Sequence, residues 1–276
     1  MSILRFLLVL LTLATASSAE TVVVRQTGFY FAPREIVINP GDSVRWVWTG
    51  GSHTVTEGTD GLVDGNELFH SLLTSGVQSY TFTFTPAFLA LNPMPGGRYD
   101  YFCAPHFSIG MIGVVRVADP VPGAIFCSGD GSAAACPCGN ASTGPEGCIN
   151  SVNTGGRLRG IGAASVGADT LELWVSGPSE GSNVLFIQGS SAVAGGAGLA
   201  FGDGLRCAGG SVVRLGVQPV SFGWARYPAA GNAPISARGL VLPGSTRHYQ
   251  AWYFDSPGLC GVPAPNWTNG YSVVWQ

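Results

Sequence analysis

Residues 101–111 read Tyr101-Phe102-Cys103-Ala104-Pro105-His106-Phe107-Ser108-Ile109-Gly110-Met111. They place a thiol, an imidazole and a thioether in a C-x2-H-x4-M spacing. A second histidine, His53, lies upstream within Gly51-Ser52-His53-Thr54-Val55. Sulfur ligands combined with imidazoles favour copper, and two His, one Cys and a weak axial Met describe a mononuclear blue-copper site. The sequence therefore predicts one copper ion per chain, held by His53, Cys103, His106 and Met111.

The segments around this stretch have the alternating pattern of half-buried β-strands. In Ser43–Trp48 the pattern puts Val44, Trp46 and Trp48 on one face, and residues 79–85 alternate around three aromatic side chains. Short strands separated by turn signals build a small sandwich or barrel. We expect Cys103 to end one strand and Met111 to begin the next, with His106 on the loop between them.

Residues 20–118 resemble a cupredoxin of the plastocyanin and pseudoazurin kind. The resemblance is carried by Asn39-Pro40-Gly41-Asp42-Ser43-Val44, by the segment around His53, by the strand 79–84 and by residues 101–115. It implies a Greek-key β-sandwich with a type-1 copper site at His53, Cys103, His106 and Met111. It also implies transfer of single electrons between redox protein partners. Residues 86–97 depart from the family pattern and are expected to form a long irregular insertion.

The N-terminal residues have the features of an export signal. Arg5 precedes an apolar run from Phe6 to Leu13, and small residues follow from Ala14 to Ala19. The run is too short to span a bilayer as a helix. We expect a leader at residues 1–19, cleavage after Ala19 and a mature chain that begins at Glu20. The alternative is an uncleaved anchor. No later stretch is apolar enough to span a membrane, so we expect an exported protein, periplasmic or extracellular.

The amino-acid composition bears on the kind of partner and on the fold class. Among the 276 residues the formal net charge is −3, and all 13 basic residues are arginines. The absence of a basic cluster argues against a nucleic-acid partner. Charged residues make up only 11% of the chain and glycine numbers 41, which favours an all-β protein.

The seven cysteines divide unevenly along the chain. Cys103 stands alone in the first half, and the other six follow it, at Cys127, Cys136, Cys138, Cys148, Cys207 and Cys260. Six cysteines of an exported protein pair without remainder, which leaves Cys103 for the metal. A metal site at the C-terminal cluster is the alternative, but no histidine lies near it in the sequence. We expect local bridges among the first four and a bridge between Cys207 and Cys260.

Residues 119–126 are predicted to be a proline-rich linker, and residues 127–276 a second, disulfide-bridged β-sandwich. This second region resembles an uncharacterised domain of exported bacterial proteins, on the segments 126–131, 136–140, 201–210 and 266–270. That resemblance implies an appended module without a known activity. Its aromatic residues would bind a glycan or surface partner if exposed and would form a core otherwise; they include Trp174, Trp224, Tyr253 and Trp267.

An enzyme is not expected. Phe102 and Ala104 flank Cys103, so no histidine beside the cysteine leads to a second copper, and only His70 and His248 remain as further imidazoles. No G-x-S-x-G elbow is present. The leading hypothesis is an electron carrier in which the edge of His106 is exposed within an apolar rim, and in which Ser52 and backbone amides near Cys103 supply hydrogen bonds around the ligands. The alternative is an exported copper-binding or surface-interaction protein whose role the second region sets.

Overall fold

The computed structural model describes residues 19–118, 121–261 and 263–276. The predicted leader therefore lies outside the described residues except for Ala19, as do two residues of the predicted linker. Within the described ranges, no helix is both long enough and apolar enough to cross a membrane.

Nine strands build the first sandwich, which contains the predicted metal ligands. They are β1 (Thr21–Thr27), β2 (Tyr30–Ala32), β3 (Glu35–Ile38), β4 (Ser43–Val47), β5 (His53–Glu57), β6 (His70–Leu73), β7 (Ser79–Thr83), β8 (Arg98–Phe102) and β9 (Ile112–Val117). One sheet has the order β2-β1-β4-β7 and the other the order β3-β9-β8-β5-β6. The pairs β1–β4 and β3–β9 are parallel, and the other pairs are antiparallel.

The inward faces of the two sheets meet in an aromatic core. In β4, Val44 and Trp46 are buried while Arg45 between them is exposed, as the alternating pattern predicts. The Trp46 ring stacks on Phe69 and meets the edge of Tyr101 at centroid distances of 5.6 and 5.3 Å. Burying such large rings is the main source of stability for a small sandwich.

The connection from Pro86 to Gly97 differs from the irregular insertion that the sequence suggested. It contains the helix α1 (Pro86–Leu91) and a 3-10 turn at Pro95–Gly97. The Thr85 hydroxyl accepts a hydrogen bond from the Phe88 N–H at 3.1 Å, which is an N-cap in front of a proline in the first turn. The helix packs the Phe88 ring against Phe82 at a centroid distance of 4.9 Å, so the insertion extends the core.

Thirteen further strands and a short helix follow. The strands are β10 (Gly123–Phe126), β11 (Arg157–Ile161), β12 (Glu172–Ser176), β13 (Asn183–Gly189), β14 (Ser191–Ala192), β15 (Leu199–Phe201), β16 (Gly204–Arg206), β17 (Ala208–Gly209), β18 (Val213–Pro219), β19 (Trp224–Tyr227), β20 (Thr246–Asp255), β21 (Ala264–Trp267) and β22 (Gly270–Val274). The helix is α2 (Ile235–Gly239), and a 3-10 turn covers Val193–Gly196.

These strands form a second β-sandwich. A sheet of order β10-β22-β20-β13-β18, with β21 paired to β20, faces a sheet of order β11-β12-β19. Leu158, Leu173, Phe186 and Tyr249 are among the buried residues between them. The prediction of an all-β chain with two sandwiches is confirmed. The last four residues of the predicted linker form β10, which pairs with β22.

Three disulfides bridge the second sandwich, so the disulfide prediction is confirmed in kind but wrong in pairing. The bonds are Cys127–Cys207, Cys136–Cys148 and Cys138–Cys260. Only Cys136–Cys148 is a local bridge, and the expected Cys207–Cys260 bond is absent. The fold places the segments around residues 207 and 260 beside the cysteines at 127–148. The spacing of cysteines in the sequence does not reveal this proximity.

The two sandwiches contact each other through a patch centred on Trp174. Its ring stacks on Trp224 at a centroid distance of 4.7 Å and lies under the guanidinium of Arg116, 5.2 Å from the ring centre. Val37 of β3 packs in the same buried cluster. Trp174 and Trp224 therefore serve the contact between the sandwiches, and neither forms an exposed binding surface.

Candidate metal centre

Three predicted ligands converge at one end of the first sandwich. The Cys103 Sγ atom lies 3.6 Å from His53 Nδ1 and 3.2 Å from His106 Nδ1. One ligand atom from each residue fits within 4.8 Å of the other two. His53 and Cys103 are 50 positions apart in the chain, so the sheet alone brings them together.

The elements explain this convergence. Strand β5 lies beside β8, with Thr56 opposite Phe102, so His53 at the start of β5 reaches the end of β8 where Cys103 follows. From Cys103 the chain enters a 3-10 turn at Ala104–Ile109, with a proline in its first turn. Gly110, with φ of 84°, ends the turn in the left-handed conformation that favours glycine.

Backbone hydrogen bonds close this loop tightly. The Cys103 N–H donates to the Met111 carbonyl at 3.0 Å, and the His106 N–H donates to the Cys103 carbonyl at 3.0 Å. The Met111 N–H in turn donates to the His106 carbonyl at 3.2 Å. Met111 is fully buried in the same core cluster as Cys103. The loop thus fixes three of the four predicted ligands relative to one another.

The Cys103 sulfur is enclosed and hydrogen-bonded. Burial raises the pKa of the Cys103 thiol, and the Thr54 N–H, 3.4 Å from Sγ, acts in the opposite direction. The Thr54 hydroxyl accepts a hydrogen bond from the Ala104 N–H at 2.8 Å. The residue that serves the sulfur is therefore Thr54; Ser52, which the sequence suggested, is exposed. The sequence analysis also expected backbone amides to donate near Cys103, and the Thr54 N–H does so.

His53 is held by two neighbours that the sequence analysis missed. Its Nε2 atom lies 3.1 Å from the buried Gln26 amide nitrogen on β1. A Cβ atom at Gly51, whose φ is 79°, would lie only 2.8 Å from His53 Nε2, so glycine is needed there. Burial lowers the pKa of His53, and the nearby His106 lowers it further. The imidazole is thereby kept neutral, the form that binds a metal.

His106 is the donor that lies nearest the surface. It is half-buried, whereas His53 and Cys103 are buried. The Phe29 ring packs against it at a centroid distance of 4.9 Å and is itself 60% exposed. Ile109 is 62% exposed on the same loop. The expected apolar rim around His106 therefore exists, and Phe29 from the β1–β2 turn is a member that the sequence analysis did not identify.

The donor set fits copper. Two imidazole nitrogens and one buried sulfur meet at this site, with a thioether residue buried in the adjoining core, and these are donors that suit copper. The two remaining histidines lie apart from the cluster: His70 is exposed and contacts the Thr56 hydroxyl, and His248 packs on Phe126. Cys138, Asp203 and Cys260 also lie close together, but Cys138 and Cys260 are disulfide-bonded and offer no thiolate.

Known proteins match the first sandwich. Residues 18–118 match the family model described as copper binding proteins, plastocyanin/azurin family. Pseudoazurin of Paracoccus pantotrophus is 36% identical over 89 residues, which is 32% of this chain and 53% of that protein. Chloroplastic plastocyanin of Tetradesmus obliquus is 35% identical over 92 residues, which is 32% of this chain and 57% of that protein.

A third relative, plastocyanin of Synechococcus sp. (strain JA-2-3B'a(2-13)), is 29% identical over 114 residues, covering 38% of this chain and 79% of that protein. The chain spans about half the length of the first two relatives. All three matches agree with the cupredoxin resemblance seen in the motifs and with the two-sheet topology. Residues 18–118 of this chain are therefore similar to the plastocyanin/azurin family of copper binding proteins.

Proposed function

We propose that this chain is a type-1 copper protein that carries single electrons between redox partners. His53, Cys103, His106 and Met111 are the proposed ligands of its one copper ion. The observation that carries the proposal is the convergence of two imidazole nitrogens on a buried cysteine sulfur, at 3.6 and 3.2 Å. A bound copper ion would supply a one-electron couple between Cu(I) and Cu(II).

The chain's own contribution is rigidity. His53 stands on a strand, and Cys103 and Met111 flank a loop closed by backbone hydrogen bonds. A site held by such elements keeps its geometry in both oxidation states, which lowers the reorganisation that accompanies electron transfer. Burial of Cys103 excludes water from the sulfur and protects it from oxidation.

The rim around His106 is the proposed contact for redox partners. Phe29, Pro105 and Ile109 are exposed apolar residues beside the half-buried imidazole. Contiguous exposed apolar residues around a functional group mark an interaction surface. Since Phe102 and Ala104 flank Cys103, no histidine next to the cysteine links the site to a second metal. We therefore propose a carrier without catalytic activity at this site.

Copper titration of the purified protein tests the ligand assignment. We expect one copper per chain and an intense blue absorption from charge transfer between thiolate and copper. Cys103→Ser should abolish the colour, and His53→Ala should weaken copper binding. The matched control is His70→Ala, an exposed histidine of the same sandwich, which should keep full colour. A colourless wild-type protein, or colour that survives Cys103→Ser, would contradict the assignment.

Redox chemistry then separates a carrier from a copper store. The copper-loaded protein should take up and release one electron per chain reversibly. Ile109→Glu should keep the blue colour but slow electron exchange with a protein partner, because it places a charge in the apolar rim. Copper that leaves the protein on each reduction would indicate storage.

We propose export to the periplasm or the extracellular space, with residues 1–19 as the leader, residues 20–118 as the copper domain, residues 119–126 as the connection and residues 127–276 as the second domain. Six disulfide-bonded cysteines agree with an oxidising compartment. Fractionation of the native cells, with detection of the mature chain, tests this proposal. A full-length chain confined to the cytoplasm would refute it.

The second sandwich offers a separate candidate function, which is binding of an acidic glycan. A cleft of about 920 Å³ lies on the outer face of its larger sheet. Arg206, Arg214 and Arg238 line it, and no carboxylate does. None of these arginines forms a salt bridge within the described residues. Three unpaired guanidinium groups suit carboxylates, to which arginine binds in a bidentate manner.

Aromatic side chains form the floor of this cleft. Trp252 and Trp267 are neighbours across β20 and β21, and the Trp267 indole N–H donates to the Phe201 carbonyl at 3.1 Å. Trp252 is partly exposed and Phe201 is half exposed, whereas Tyr253 and Trp267 are buried. Sugar faces would pack on the exposed rings while uronate carboxylates meet the arginines.

Binding of polygalacturonate, with neutral dextran as the comparison, tests the glycan proposal. We expect salt-sensitive binding of the acidic chain only. Arg214→Gln should weaken it about tenfold, which corresponds to one lost charge-assisted contact. The matched control is Arg45→Gln, an exposed arginine of the first sandwich. Equal binding of dextran, or no binding of polygalacturonate, would refute the proposal.

A further inference from the structure

Asp42 is a buried carboxylate that forms no salt bridge with any other described residue. The side chain is 2% exposed and accepts hydrogen bonds from the Asn39 N–H at 2.9 Å and from the Glu20 N–H at 2.8 Å. Burial raises the pKa of the Asp42 carboxyl group. Among the described residues no lysine, arginine or histidine forms a salt bridge with it. A buried charge normally requires such a partner.

The side chain of Glu20 points to the other sandwich. Its carboxylate accepts hydrogen bonds from Arg157 at 2.9 and 3.1 Å and from Arg159, both on β11. Arg157 also donates to the Val37 carbonyl on β3 at 2.6 Å. Residue 20 is therefore tied through its backbone nitrogen to the first sandwich and through its side chain to the second.

The charges around this position do not balance. Glu20, Asp42 and Glu146 contribute three carboxylates that act on one another or on the same arginines. Arg157 and Arg159 are the two guanidinium groups facing them. When all five groups are ionised, three carboxylates face two guanidinium groups among the described residues, which leaves one negative charge without a counter-charge in a largely buried cluster.

We infer that removal of the leader between Ala19 and Glu20 supplies the missing cation, as the α-ammonium group of Glu20 pairs with the Asp42 carboxylate and joins the two sandwiches. Hydrolysis of that peptide bond by a leader peptidase consumes one water molecule. It leaves a carboxylate on Ala19 and an ammonium group on Glu20. The two sandwiches then share a buried cluster of three negative and three positive groups.

The geometry requires no rearrangement. The Glu20 nitrogen already lies 2.8 Å from the Asp42 Oδ1 atom, so the new charge appears at hydrogen-bond distance. Ala19 itself is exposed rather than packed in the core. A hydrogen bond between two charged groups is stronger than the hydrogen bond that the neutral backbone N–H donates to the same carboxylate. Processing thus acts as the last step in assembling the contact between the sandwiches.

The test compares two forms of the otherwise identical protein. One begins at Glu20, and the other keeps Ala19 with one preceding Met, so that residue 20 retains a neutral amide. In urea unfolding at pH 7 the form that begins at Glu20 should have a folded-to-unfolded ratio about tenfold or more higher, as expected for a buried charged hydrogen bond. In Asp42→Asn the two forms should have equal stability.

The pH dependence provides a second readout. An ammonium group paired with a carboxylate has a pKa raised above its unfolded value of about 8, so its stabilisation is complete below that pH and is lost as the pH rises through the folded-state pKa. The groups that face it are Glu20, Asp42, Glu146, Arg157 and Arg159, with the Tyr271 phenol beyond Arg159. These are common to both forms, so the difference between the forms should disappear at alkaline pH.

The intact mass of the exported native protein completes the test. We expect a chain that begins at Glu20 with a free amine. Any other first residue, or a mass lower by one water because Glu20 has cyclised, would overturn the inference, since neither leaves an ammonium group beside Asp42. Equal stability of the two forms at pH 7 would overturn it as well, and so would a difference that persists in Asp42→Asn.

Discussion

At the scale of single residues, Gln26 illustrates what surrounds the four proposed ligands. Its amide nitrogen lies 3.1 Å from His53 Nε2, and the same nitrogen donates to the Gly28 carbonyl at 2.7 Å. The Gln26 amide oxygen accepts from the Thr49 N–H at 3.1 Å, so both ends of the side chain are fixed beside the imidazole nitrogen that faces away from Cys103. A partner of this kind orients a ligand and sets its basicity.

We predict that Gln26→Leu weakens copper binding by about 10- to 100-fold, the usual effect of removing a partner of a metal-bound histidine. The fold should persist because leucine fills a similar volume. Competition with a chromophoric chelator measures the affinity. The control is Gln78→Leu, at an exposed glutamine of the same sandwich, which should bind copper as the wild type does. Unchanged affinity in Gln26→Leu would show that His53 needs no such partner.

At the scale of elements, β5 and the loop after β8 are coupled through Thr54. The Thr54 N–H points at the Cys103 sulfur, and its hydroxyl accepts from the Ala104 N–H at 2.8 Å. This one residue holds the loop against the strand that carries His53. The ligand loop therefore keeps its shape through contacts that lie outside it.

Thr54→Val should destabilise the metal-free protein by about 1–3 kcal/mol, because the partly buried Ala104 N–H loses its acceptor while the side-chain volume stays the same. Urea unfolding gives the free energy of unfolding. The copper-loaded variant should stay blue, because the backbone N–H of residue 54 still contacts the Cys103 sulfur. Thr81→Val, at an exposed threonine of β7, is the control and should cost far less. An equal cost at both positions would mean that the hydroxyl of Thr54 has no special role.

Elements with a strong local pattern could be predicted from the sequence, and others could not. Strands β4 and β7 alternate clearly, because one face of β4 is buried in the aromatic core and one face of β7 packs against the same core. Strand β6 was missed because His70–Leu73 lacks such alternation and is ordered by pairing with β5. Helix α1 was not predicted, because Thr85 was assigned to the preceding strand and residues 86–97 to an irregular insertion, whereas Thr85 caps the helix.

At the scale of the whole molecule, the ion pairs of Glu20 link the two sandwiches and make the contact sensitive to acid. Burial alone would raise the pKa of Glu20, but Arg157 and Arg159 together hold it below its usual value. A carboxylate with a depressed pKa contributes stability that is fully present above its unfolded pKa, near 4.5, and is lost as the pH falls through its folded pKa.

In the form that keeps Ala19, where residue 20 has no free amine and cannot cyclise, Glu20→Gln should therefore cost about 3–5 kcal/mol at pH 7, because it leaves two buried guanidinium groups without the carboxylate that they contact. The difference from the wild type should shrink as the pH falls below about 4.5, where the carboxylate of the unfolded chain becomes protonated, and should vanish below the lower pKa of the folded state. Urea unfolding of both proteins from pH 7 to pH 3 measures it. A difference that stays constant over this range would mean that the charge of Glu20 is not what stabilises the contact.

The sequence by itself determined the chemistry of the donors, the alternation that makes the chain all-β and the even number of cysteines after Cys103. These are local properties, readable from residue type and spacing. Only the tertiary structure decided that Cys127 pairs with Cys207, that Gln26 and Thr54 support the site and that Glu20 meets Arg157. Each of those contacts joins residues far apart in the chain, and their proximity depends on which strands become neighbours when the two cores are buried.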